Sequence, residues 1–145
     1  MALGDLVLSV RFPFHWGEMD AFGHVNNVAY FRWLETARMH YLRAIGITHP
    51  EEQNGLGLLL AETTCTFLKP LHFPDTVTVS TGVDHVGNTS FRMRYEVHSE
   101  AVGLAATAVS VQVMFDYNAN SKTPVPASVR ERIERVQSST ISVAP

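Results

Sequence analysis

From Asn26 to Ile45 the chain reads NNVAYFRWLETARMHYLRAI, and a helix turning 100° per residue makes most of that circumference apolar. Tyr30, Leu34, Ala37, Tyr41 and Ile45 form one stripe, flanked by Phe31, Trp33 and Leu42. Arg32, Thr36, His40 and Arg43 leave only a narrower polar stripe. Such a helix must be covered on several sides. Gly46 predicts its C-terminal stop, and Arg43 suits the negative end of the dipole. At 1.5 Å per residue the helix is about 30 Å long.

The rest of the chain supplies the cover. Leu6, Leu8, Val10 and Phe12 alternate with Val7, Ser9 and Arg11, which predicts a first strand ending near Pro13. After the helix, Leu59, Ala61, Cys65 and Phe67 share one face of a stretch that ends near Lys69-Pro70. Val77, Val79 and Val83 follow, then a turn at residues 85–88, then Phe91, Met93, Tyr95 and Val97 alternating with Arg92, Arg94 and Glu96. A turn near Gly103 leads to Val109, Val111, Val113 and Phe115. Each strand has one apolar face, the pattern of an antiparallel sheet covered on one side. The expected fold is α+β: five antiparallel strands wrapped around one long central helix, with a short amphipathic helix at about Ala127–Gln137. Residues 1–138 are expected to make one domain and residues 139–145 a frayed tail. The outer face would carry Glu62, Thr64, Thr66, Thr78, Ser80, Arg92, Arg94, Ser110 and Gln112. It could face solvent or a second copy, and a helix this apolar favours the second copy.

Composition removes several function classes. A net charge of −3 over 145 residues gives no general pull toward nucleic acid or an anionic membrane. No stretch approaches the roughly 18–20 apolar residues of a membrane span, and the N-terminus lacks a secretory pattern, so a soluble cytoplasmic protein is expected. The one cysteine, Cys65, excludes an intrachain disulfide and reads as a small core residue. There is no G-x-S-x-G elbow, Walker A loop or G-x-G-x-x-G run. Chemistry here has to come from a carboxylate and backbone donors.

The stretch DAFGHVNN, Asp20 to Asn27, has those parts. Asp20 precedes the helix by six residues, and Gly23 can tighten the intervening loop by adopting φ > 0. An aspartate so placed is either a turn residue or a carboxylate held beside the free N–H groups of a helix N-terminus. Asn26 and Asn27 already offer capping chemistry, which releases Asp20 from that role. N–H donors can hold a carbonyl oxygen that becomes negative, while a carboxylate attacks the carbonyl or activates water. His24 reads first as a loop histidine; Phe22 and Tyr30 read first as packing residues that can line an acyl pocket. Glu35 and Arg38, three apart, predict an ion pair. His15, Glu18, Asp20 and His24 lack an ordered ligand spacing, so no metal is expected.

Three segments, MDAFGHVNNVAYFRWLETAR, TFLKPLHFPDTVTVSTGV and NTSFRMRYEV, resemble in order the hotdog-fold acyl-CoA thioesterases of the 4-hydroxybenzoyl-CoA thioesterase type. The resemblance spans about Val10 to Phe115. It implies a hotdog fold, hydrolysis of an acyl-CoA to a free acid and coenzyme A, no cofactor beyond the coenzyme A of the substrate, and a homodimer that assembles to a homotetramer. By position it implies that Asp20 is nucleophile or general base and that the Asn27 N–H polarises the thioester carbonyl, with Gly23, His24 and Asn26 in support. It also sets Lys69, Thr89 and Ser90 near the coenzyme A moiety. The H-V-N-N form resembles the fatty acyl-CoA branch, which points to a medium or long aliphatic acyl group. Two rivals share the pocket: an acyl-CoA or acyl-carrier binding protein with little hydrolysis, and a hotdog enoyl-CoA hydratase or dehydratase.

Overall fold

The computed structural model describes residues 3–145. Strand β1 (Leu8–Pro13) leads through the motif loop into α1 (Asn27–Ala44), followed by β2 (Leu56–Phe67), β3 (Thr76–Val86), β4 (Ser90–Ser99) and β5 (Gly103–Asp116). Two short strands, β6 (Ser121–Lys122) and β7 (Ile141–Val143), flank α2 (Ala127–Gln137). The sheet order is β2-β5-β4-β3-β1-β7, with β6 paired to β5. The five long strands are antiparallel to their neighbours, as the alternation predicts. Two short strands join those five. One of them comes from the tail, which does not fray as expected: β7 pairs parallel to β1, and Ile141 donates its N–H to the Val7 carbonyl at 2.7 Å.

Helix α1 buries Tyr30, Trp33, Leu34, Ala37, Tyr41 and Leu42, and Ile45 just beyond its end is buried too. Each large apolar side chain among them contributes about 1.5–3 kcal/mol by leaving water. Asn26 caps the helix by accepting from the Val28 N–H at 3.1 Å, and Gly46 ends it with φ +77°. The helix lies over β3 and β1 and leaves β2, at the far edge, thinly covered. Leu59, Leu60, Phe67 and Leu68 are consequently exposed, although the pattern places Leu59 and Phe67 on a covered face.

The phase of β5 also differs from the expected one. Ala106, Ala108, Ser110, Gln112 and Met114 point to the interior, and Val109 and Val111 lie half-buried on the outer face. Ser110 and Gln112 thus leave the outer face that the alternation assigns them. Both faces of this strand carry apolar residues, so alternation alone does not set its phase. Partners remote in sequence do: Tyr95 bonds Ser110 at 2.6 Å, and Ser110 accepts from Gln112 at 2.7 Å.

Candidate active site

The motif loop is closed by its own backbone. Met19 and Val25 form an antiparallel bridge, Asp20 donates its N–H to the His24 carbonyl at 2.8 Å, and Gly23 donates to the Asp20 carbonyl at 3.1 Å. Gly23 has φ +79°, the left-handed conformation the turn requires. The Asp20 carboxylate helps build this turn: Oδ1 accepts from the N–H of Phe22 at 2.9 Å and of His24 at 3.4 Å. The turn reading and the chemical reading thus meet in one side chain. Oδ1 organises the loop, and Oδ2 has no donor among the described residues.

At the helix start the donors divide similarly. The Val28 N–H goes to the Asn26 side chain, and the Ala29 N–H goes to the Asn26 carbonyl at 3.0 Å. Asn27, the first helical residue, keeps an N–H without an acceptor among the described residues. Asp20 and Asn27 line one cavity of about 360 Å³ with His24, Val25, Tyr30 and residues 67–70. Five of the residues singled out in the sequence, Asp20, His24, Asn27, Tyr30 and Lys69, therefore meet. Asn26 acts as the cap and Gly23 as the turn. Phe22 sits 87% exposed on the loop tip, outside the cavity lining. The Lys69 ammonium donates to the Val102 carbonyl at 2.8 Å. Thr89 and Ser90 lie elsewhere: Ser90 is level with Val113 and Leu59, whereas Phe67 is level with Ala106, about 25 Å away along β2.

His72 is a positioning residue the sequence reading does not single out. Its ring Nδ1 lies 3.1 Å from the Gly23 carbonyl, so Nδ1 carries the hydrogen, and the ring meets His24 edge-on at 4.8 Å. The neighbouring Leu71 carbonyl accepts from the Val25 N–H at 2.9 Å. A histidine two residues after Lys69-Pro70 is the available signal.

Two other side chains near the cavity are poor nucleophiles. Burial pushes the Tyr30 phenol up to about 12, with Cys65 adding to the shift, and pushes the Cys65 thiol up to about 11. Both remain protonated near neutrality, which leaves Asp20 as the carboxylate of the cavity wall. Among the described residues no three of His, Cys, Asp and Glu converge as a metal cluster would. Glu35 and Arg38 do not form the expected ion pair: Glu35 is exposed, and Arg38 is buried with its Nη1 3.5 Å from the Tyr95 hydroxyl. A larger hollow, about 620 Å³, lies over that second half of α1 and contains no residue of the motif loop.

Residues 14–133 match the family model described as "Thioesterase-like superfamily". The PA2801 protein of Pseudomonas aeruginosa is 32% identical, with a TM-score of 0.77 over 89% of this chain and 99% of its own. A thioesterase from Thermus thermophilus, crystallised with coenzyme A and Zn, is 27% identical, with a TM-score of 0.78 over 90% and 93%. The BH1999 gentisyl-coenzyme A thioesterase is 26% identical, with a TM-score of 0.73 over 86% and 98%. The fold and these relatives agree: the chain belongs to the thioesterase-like superfamily and is a thioesterase of the hotdog fold.

Proposed function

We propose that the protein hydrolyses acyl-CoA thioesters, with Asp20 as base or nucleophile and the Asn27 N–H as the donor to the carbonyl oxygen. The observation that carries this reading is one cavity lined by a carboxylate with a free oxygen and by a helix-start N–H with no acceptor among the described residues. In the hydrolysis, the thioester carbonyl accepts from Asn27 and becomes more electrophilic. Asp20 takes a proton from water as the water oxygen attacks, or attacks directly to give an anhydride that water then opens. The C–S bond breaks, and the coenzyme A thiolate leaves and is protonated. The amide is already in place and needs no reorganisation as negative charge develops on the oxygen. A relative that binds coenzyme A and another named as a gentisyl-coenzyme A thioesterase support this substrate class.

A second copy completes the picture. β2 is an edge strand of twelve residues with exposed Leu59, Leu60 and Phe67, Leu68 following just beyond its end, and an open apolar edge favours strand pairing. Antiparallel pairing about the middle of β2 sets one chain's Leu56–Leu58 end beside the other's Cys65–Phe67, and so toward the cavity at Asp20. It also shortens the separation between Asp20 of one protomer and the turn before β4 of the other. Further pairing of such dimers gives the tetramer.

Thiol release from a panel of acyl-CoAs tests the assignment. Turnover of at least one member is the expected result. Calorimetric binding with no free thiol makes the protein a binder, and an absorbance change with an enoyl-CoA alone makes it a hydratase; either overturns the proposal.

A further inference from the structure

The hollow over the second half of α1 is apolar along its walls, with Met39, Leu42, Ile47, Leu58 and Leu60, yet its floor is polar. Arg38 is 7% exposed and Gln112 1% exposed, and both line it. Arg38 reaches only the Tyr95 hydroxyl, at 3.5 Å, beyond the ordinary length of a good hydrogen bond. No carboxylate lies within ion-pair distance of it among the described residues. A buried guanidinium without a counter-charge is costly. Gln112 Oε1 is buried with no hydrogen-bond partner among the described residues. A native interior leaves few polar atoms in that state.

The side chains between the two groups form a continuous relay. Gln112 Nε2 donates to Ser110 Oγ at 2.7 Å, Ser110 and Tyr95 are 2.6 Å apart, and Tyr95 accepts from Arg38. With Ser110 donating to Tyr95, the Gln112 oxygen is the member left unsatisfied. Turning the amide over reverses the Ser110 and Tyr95 hydroxyls and sets the amide NH₂ where the unpartnered oxygen stood, in a side chain that lines the hollow. Gln112 and Arg38 line the same hollow, and an amide NH₂ beside a guanidinium with unused N–H groups is a donor set that suits a carboxylate. Glu35, Glu52 and Arg43 also line the hollow, but all three are exposed. Their fields are screened by water, whereas that of Arg38 acts in the interior.

We propose that Arg38 and Gln112 form a second subsite of this enzyme, one that holds a carboxylate at the far end of the acyl group and so favours chains ending in an acid over chains ending in a methyl. Arg38 follows Asn27 by eleven residues, about 16 Å along the helix, too far to touch a thioester held at Asn27 of the same chain. Arg38 therefore does not act on the reacting bond of a thioester held by its own chain. This inference rests on the thioesterase reading for its substrate, so its test has an arm that does not need turnover.

Matched CoA thioesters of equal chain length, one series ending in a carboxylate and one in a methyl, are compared by kcat/KM. The acid-ended series is expected to lead by about tenfold or more, and Arg38→Met and Gln112→Leu are each expected to cut that lead about tenfold to a hundredfold, as the loss of a hydrogen bond to a charged group does. In parallel, calorimetry compares free dicarboxylates with monocarboxylates of the same length. Wild-type protein is expected to bind the dicarboxylates more tightly and Gln112→Leu to lose that preference, which decides the matter even if Arg38→Met fails to fold. A lead for the methyl-ended series, or no preference for dicarboxylates in calorimetry, overturns the subsite. Arg38-dependent dicarboxylate binding without thiol release from any thioester overturns the thioesterase reading and leaves the subsite standing.

Discussion

Asp20 spends one carboxylate oxygen on its own loop and keeps the other. Oδ1 is held by the Phe22 and His24 amides, so the side chain has little freedom to turn away from the cavity it shares with Asn27. Cys65 has its own consequence at this scale. Burial lifts its thiol from the ordinary 9.0 to about 11, so the reactive thiolate is about a hundredfold scarcer at neutral pH than for an ordinary cysteine. Alkylation by iodoacetamide is expected to be slow at pH 8 and to rise as the pH approaches 11. Rapid labelling at pH 8 in the folded protein would contradict the half-buried environment of this residue. The division of labour within the motif loop is half legible in the sequence, where Gly23 announces a tight turn and Asn26-Asn27 a helix start. The contribution of His72 is not legible, because it grips the Gly23 carbonyl from 49 positions away.

Among the elements, α1 is the most legible, since its apolar period is local and long. β5 is the least, because Ser110 and Gln112 turn inward to meet Tyr95 and Arg38, partners that no local pattern reveals. β7 escapes the sequence reading for the same reason: its three residues pair with β1, at the other end of the chain. The last turn of α2 shows how such distant elements are fastened. Gln137 Oε1 accepts from the Tyr41 hydroxyl at 2.7 Å and from the Val83 N–H at 3.0 Å, and Nε2 donates to the Asp5 carbonyl at 3.1 Å. One amide thus ties α2 to α1, to β3 and to the N-terminal segment. Gln137→Ala leaves buried donors unpaired and is expected to cost about 2–4 kcal/mol in urea unfolding, at about 1–3 kcal/mol per unsatisfied group. A loss below about 0.5 kcal/mol, the size of an ordinary surface substitution, would show that the amide is not a fastening point.

At the scale of the whole molecule, α1 covers β1 and β3 and leaves the β2 side open, and the motif-loop cavity and the larger hollow both lie along that open side. The same gap accounts for the exposed apolar edge and for the second copy proposed to cover it. Leu59→Lys sets a charge on the edge, outside the lining of either cavity, and is expected to shift the mass in light scattering to that of a monomer. An unchanged mass would place the interface on another face. All of this depends on what sits at the end of the motif loop. The most direct measurement is steady-state thiol release by Asp20→Asn on the best acyl-CoA, with circular dichroism and Tm recorded on the same preparation. The geometry predicts that kcat falls by about 10²–10⁴ with the fold intact, the range expected when a positioned acid–base group is removed. A variant with wild-type Tm whose kcat stays within about threefold of the parent, a change of well under 1 kcal/mol in the barrier, would contradict it.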